Sequence, residues 1–106
     1  MWQRALSGSG GGGVTEIDLT NNTHNSAQIN AGSGVWVNTN VAVSGVAYIC
    51  IELNNRLDYC TIAAVDNGQI TCKVKNWSDI KIENGYFWFL QNQASGTQTF
   101  YIEYYT

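Results

Sequence analysis

Three runs decide the fold: Val46-Ala47-Tyr48-Ile49-Cys50-Ile51-Glu52-Leu53, Leu57-Asp58-Tyr59-Cys60-Thr61-Ile62-Ala63-Ala64-Val65 and Gln69-Ile70-Thr71-Cys72-Lys73-Val74-Lys75-Asn76. Each is rich in β-branched and aromatic residues, and the corners between them are Asn54-Asn55 and Asp66-Asn67-Gly68. Runs of this composition bounded by Asn, Asp and Gly read as consecutive antiparallel strands. Asp66-Asn67-Gly68 suits a three-residue loop with Gly at the left-handed bulge position, which would set Val65 opposite Gln69 and Ile62 opposite Cys72. A two-residue turn at Asn54-Asn55 would set Leu53 opposite Arg56 and Ile49 opposite Cys60, because Asn tolerates positive φ. Together the turns predict one buried face of Ala47, Ile49, Ile51, Cys60, Ile62, Ala64, Ile70, Cys72 and Val74. The reverse would carry Tyr48, Cys50, Tyr59, Thr61, Thr71, Lys73 and Lys75, and a one-residue slip would bury two Lys.

The same reasoning extends toward the C-terminus. Asn84-Gly85 is a strong type I′ signal, pairing Ile82 with Phe87 and Ile80 with Phe89. Ser95-Gly96 could close a further hairpin, with Phe89 opposite Ile102 and Phe87 opposite Tyr104. Ile80, Ile82, Phe87, Phe89, Phe100, Ile102 and Tyr104 then form a second apolar face. Upstream, Val14 to Leu19 reads as a strand, and Val35-Trp36-Val37 and Val41-Ala42-Val43 flank Asn38-Thr39-Asn40 as a short hairpin. Two one-sided sheets hide their apolar sides by packing on each other. The expected fold is therefore all-β, an antiparallel β-sandwich or flattened barrel of about seven to eight strands with short hairpin turns.

The first thirteen residues stand apart. Met1 to Leu6 could form one amphipathic turn, and Ser7-Gly8-Ser9-Gly10-Gly11-Gly12-Gly13 is the composition of a flexible linker. The expected organisation is an N-terminal peptide and Gly/Ser linker over 1–13 and a single β domain over 14–106. In that layout Trp2 and Leu6 are the apolar anchors of a short docking peptide.

Composition narrows the functions. Five Lys plus Arg against eight Asp plus Glu give a net charge of −3, the wrong sign for binding a phosphate backbone. No apolar run approaches the roughly 20 residues of a membrane-spanning helix. Cys50, Cys60 and Cys72 leave at least one thiol unpaired and lack the spacing of a zinc site, so neither a disulfide scaffold nor a metal is expected. The opening is too short for a secretory signal core, which points to synthesis in a reducing cytosol.

Catalytic constellations are also missing from the pattern. His24 is the single imidazole and sits among Asn, Thr and Ser; Glu52 and Asp58 flank a turn, and Asp18, Asp66 and Asp79 lie at strand ends where Asx turns normally put them. No catalytic residue and no cofactor is expected. The informative feature is the reverse of the last predicted sheet, where Tyr86, Trp88 and Leu90 would lie opposite Tyr105, Glu103 and Tyr101. Such a cluster suits subunit contact. It also suits carbohydrate stacking, with Trp and Tyr presenting flat faces to sugar rings and Glu103, Lys81 and Gln91 setting orientation. A third arrangement has Val14 to Leu19 or the leader covering this face. The predicted binding set is Tyr86, Trp88, Tyr101, Glu103 and Tyr105.

The leader Met1-Trp2-Gln3-Arg4-Ala5-Leu6-Ser7-Gly8-Ser9-Gly10-Gly11-Gly12-Gly13, followed by a strand-rich, Asn- and Thr-rich domain, resembles small structural proteins encoded in bacteriophage and prophage genomes of gut Firmicutes. The resemblance implies a virion component of tail, fibre or capsid-decoration type, with protein partners in the particle or in a homo-oligomer. The expectation is thus a non-enzymatic structural or adhesion module tethered by its leader. The alternative is a small carbohydrate-binding module using an exposed aromatic face.

Overall fold

A computed structural model describes residues 4–7, 15–53, 56–76, 78–92 and 95–106; of these, 4–7, 15–17, 56–59 and 74–76 are described as backbone only. The chain is all-β. Its strands are β1 (Arg4–Ser7), β2 (Thr15–Asp18), β3 (His24–Ala31), β4 (Val35–Ala42), β5 (Ala47–Leu53), β6 (Arg56–Asp66), β7 (Gln69–Asn76), β8 (Ile80–Glu83), β9 (Tyr86–Gln91) and β10 (Gln98–Tyr105). A five-stranded sheet in the order β3-β10-β5-β6-β7 packs on a three-stranded sheet in the order β4-β9-β8, and β1 pairs with β2. Every pairing is antiparallel. The predicted sandwich is the observed architecture.

The core lies between the two sheets. The larger sheet contributes Ala47, Ile49, Ile51 and Leu53 of β5, Ala63 and Val65 of β6, and Phe100 and Ile102 of β10; the smaller contributes Val41, Phe87 and Phe89. Phe89 and Phe100 meet across the layers with ring centroids 4.9 Å apart and planes tilted by 56°. Ile80 pairs with Phe89 and Ile82 with Phe87, as the Asn84-Gly85 turn predicts. Asn84 and Gly85 both take positive φ, at 54° and 79°, the conformation a type I′ hairpin demands.

Several expected pairings are different. Ile49 faces Ala63 instead of Cys60, because β6 carries an irregularity between the Leu53–Arg56 and Glu52–Cys60 pairs. The displacement of three residues is odd, so it exchanges the faces of β6. Ala63 and Val65 point into the main core, while Ile62, Ala64 and Cys72 join Leu19, Tyr48 and Tyr105 in a second apolar cluster. The β6–β7 corner is also tighter than expected: Asp66 pairs with Gln69, and Asn67 and Gly68 carry positive φ of 54° and 70°. The Asn54-Asn55 turn lies outside the described residues.

Three further expectations need correction. Val35–Ala42 is one strand, and the Asn38-Thr39-Asn40 segment is a register irregularity within it where Asn40 has φ of 61°. Thr39 fixes this kink by donating to the Phe87 carbonyl at 2.6 Å and accepting from the Val41 N–H at 3.2 Å. His24 opens β3 and does not sit in a loop. Arg4–Ser7 runs as a strand beside Thr15–Asp18, where an amphipathic turn is expected. Trp2, the Gly-rich residues 8–13 and the side chain of Leu6 lie outside the described residues.

The largest correction concerns β9 and β10. They do not form a hairpin. After Gln91 the chain crosses to the other layer, so Phe89 meets Phe100 across the interlayer gap instead of lying beside Ile102. Sheets stack about 10 Å apart, a gap that the residues between Gln91 and Gln98 can span. β10 then pairs with β3 on one side and β5 on the other, removing two edges at once.

The β7–β8 connection is held by a small buried network. Ser78 donates its backbone N–H to Thr61 Oγ1 at 2.8 Å, and its hydroxyl donates to the Leu90 carbonyl. Thr61 and Ser78 are both buried. Thr61→Val keeps the shape but leaves the Ser78 N–H without an acceptor, and the expected loss is about 1–2 kcal/mol of stability. Urea unfolding midpoints of the two proteins measure it; equal midpoints would mean that water reaches Ser78.

Candidate functional site

Alternation along the smaller sheet creates a flat outer surface. In β9, Phe87 and Phe89 are buried, so Tyr86, Trp88 and Leu90 face outward. Their cross-strand neighbours complete the face. Trp36 lies opposite Leu90, Asn38 and Lys81 flank Trp88, and Ala42 and Glu83 flank Tyr86. Trp36 is 39% exposed and Tyr86 is 40% exposed, whereas the aromatic rings of the core are closed to solvent.

The face is held in place by its own polar groups. The Trp88 indole donates to the Glu83 carbonyl at 3.2 Å. Lys81 Nζ stands over the Trp36 ring, 4.3 Å from its centroid, and over the Trp88 ring at 5.3 Å. The same ammonium lies 3.7 Å from Glu83 Oε1. A cation over indole faces is attracted by the ring quadrupole. Lys81 of β8 therefore joins a residue of β4 to one of β9. Asn38 Oδ1 accepts from the Asn40 N–H at 2.8 Å, which leaves the Asn38 amide N–H groups as donors.

The predicted binding set is divided by this architecture. Tyr86 and Trp88 belong to the outer face of the three-stranded sheet. Tyr101 and Glu103 belong to the outer face of the five-stranded sheet, on the other side of the sandwich. Tyr105 is buried, with its ring 4.8 Å from His24 and 6.4 Å from Tyr48 between centroids. Its position marks it as a packing residue. Trp36 is the member that sequence reasoning missed, because Val35-Trp36-Val37 is apolar throughout and carries no alternation to show which side chain faces outward.

Tyr101 and Glu103 instead border a shallow groove of about 450 Å³ with Ser26, Gln28 and Glu52. Beside it lies a recess of about 100 Å³ walled by Tyr48, Cys50, Ile62, Glu103 and Tyr105. His24 Nε2 approaches Glu103 Oε1 at 3.7 Å. Among the described residues no three His, Cys, Asp or Glu side chains converge as metal ligands. Cys50, Cys60 and Cys72 form no disulfide, with Cys60 buried and the other two half-buried. Cys72 lies outside the main core, contrary to its predicted face.

Of the predicted face, the Tyr105 end is covered by Leu19, as the third arrangement expects. β1 lies against β6 and β7 of the larger sheet, and Leu19 is buried in the outer cluster of that same sheet. Among the described residues no helix is long and apolar enough to cross a membrane. No family model, no curated protein and no solved structure matches the chain.

Proposed function

We propose that the chain is a non-enzymatic structural or adhesion module of phage type that makes its contacts through the outer face of the three-stranded sheet. One observation carries the reading: Trp36, Tyr86 and Trp88 stand together and partly exposed on one flat face. Aromatic residues supply large contact area with few rotatable bonds, and a contiguous exposed cluster on a small domain is a mark of an interaction surface. The tethering part of the proposal, with Trp2 and Leu6 as anchors and a virion as the setting, rests on the leader sequence.

The test pairs two measurements on the wild type and a Trp36→Ala/Trp88→Ala variant. Fluorescently labelled protein is applied to Gram-positive gut bacterial cells and followed by flow cytometry, and oligomeric state is read by light scattering. Saturable cell binding, or a closed dimer or trimer, is expected in the wild type. The variant should weaken it by about ten-fold or more, the scale of losing an interface hot spot. A wild type that is monomeric and indifferent to cells overturns the proposal, as does a variant that keeps full contact.

A further inference from the structure

The chemistry at the centre of the aromatic face distinguishes between kinds of partner. Lys81 and Glu83 border the exposed rings on β8: the Lys81 ammonium reaches over Trp36 and Trp88, and Glu83, 3.7 Å from it, stands beside Tyr86. The core of a protein–protein interface is depleted in Lys and Glu, because a dry contact must strip both of water. A polyol behaves differently. Its hydroxyls accept from an ammonium and donate to a carboxylate, so the charged pair keeps its hydrogen bonds when the ligand arrives. The Asn38 amide adds further donors in the same row.

The spacing is that of an extended platform. Residues two apart on one face of a strand lie about 6.6–6.8 Å apart, and diagonal cross-strand neighbours about 7–8 Å. Trp36, Trp88 and Tyr86 follow one such diagonal and one such step, giving on the order of 15 Å of ring surface. A pyranose with all-equatorial substituents presents an apolar C–H face, and a β-1,4-linked chain presents these faces along a flat ribbon. Resting on the contact role proposed above, we infer that this face binds a β-1,4-linked glycan chain. Trp36, Trp88 and Tyr86 stack on the sugar rings. Lys81, Glu83 and Asn38 engage the hydroxyls at their edges, with Lys81 moving on its flexible stem to make room.

Cellohexaose and chitohexaose are the probes, read by intrinsic Trp fluorescence and by calorimetry on the full chain. At least one should give a saturable fluorescence change that 0.5 M NaCl leaves in place, because the ligand is neutral. Trp36→Ala and Trp88→Ala should each weaken it by about ten-fold or more, and Lys81→Met by a smaller factor. Tyr101→Ala, on the opposite sheet, should leave it unchanged. Thermal unfolding of each variant establishes that it is folded; should Trp88→Ala unfold the domain, Trp36→Ala and Lys81→Met carry the test. Absence of any response to either saccharide at millimolar concentration overturns the inference, as does a response that survives in both folded Trp variants. Trp-dependent cell binding or oligomerisation without a saccharide response removes the glycan and leaves the contact role standing. Loss of all three removes both.

Discussion

Replacing Phe89 with Ala is expected to cost about 3–5 kcal/mol, the usual range for truncating a fully buried aromatic side chain. Phe89 is closed to solvent at the centre of β9, and its ring rests on Phe100 of β10 across the interlayer gap. A small domain has a total stability of only about 5–15 kcal/mol, so this variant should sit at the edge of folding. Phe89→Leu should lose less, because it retains most of the volume. A cycle of Phe89→Leu, Phe100→Leu and the double variant should then show a coupling of about 0.5–1.5 kcal/mol, the scale of a tilted aromatic pair. Urea unfolding at constant slope measures all four proteins. Zero coupling would mean that the two rings are not stacked between the sheets, and a loss below about 1 kcal/mol for Phe89→Ala would mean that β9 is not a core strand.

The same pair shows where sequence reading succeeds and where it stops. Asn84-Gly85 specifies its turn through local backbone chemistry, so Ile80–Phe89 and Ile82–Phe87 follow from arithmetic on the sequence. Phe89 and Phe100 could be recognised as buried from alternation alone. Nothing local decides whether Ser95-Gly96 closes a hairpin or lets the chain cross between layers. Both arrangements bury the same rings. The crossing separates Tyr86 and Trp88 from Tyr101, Glu103 and Tyr105, and this is why three of the five predicted site residues lie on the other sheet. In β6 the ambiguity has a different source. Ile62 and Ala64 alternate with Ala63 and Val65, all of them apolar, so either face suits a core and the irregularity near Arg56 settles the outcome. Register is well specified only where one face is polar.

The outer cluster that this inversion creates makes its own prediction, at alkaline pH. Tyr48 was expected on a solvated face, yet it is buried beneath Leu19 and against Tyr105. Burial, followed by the neighbouring Cys50, Cys60, Cys72 and Tyr105 as they ionise, pushes its hydroxyl from 10.0 up to about 12. The unfolded chain releases this proton near its ordinary value, so the folded state holds a proton that the unfolded state has lost. The stabilisation associated with neutral Tyr48 is complete below pH 10 and is lost as pH rises toward 12. With one pKa unit equal to about 1.4 kcal/mol, the loss should amount to about 2–3 kcal/mol. Tyr48→Phe keeps the ring and has no proton to lose, so its stability should decline less over that interval. Measuring urea midpoints of both proteins at pH 9, 10.5 and 12 isolates the effect, because ionisation of the other Tyr and Cys groups is common to the two. If wild type and variant decline in parallel, the Tyr48 hydroxyl is in contact with water. The cover formed by Leu19 and Tyr105 over the outer face of β5 and β6 would then be absent.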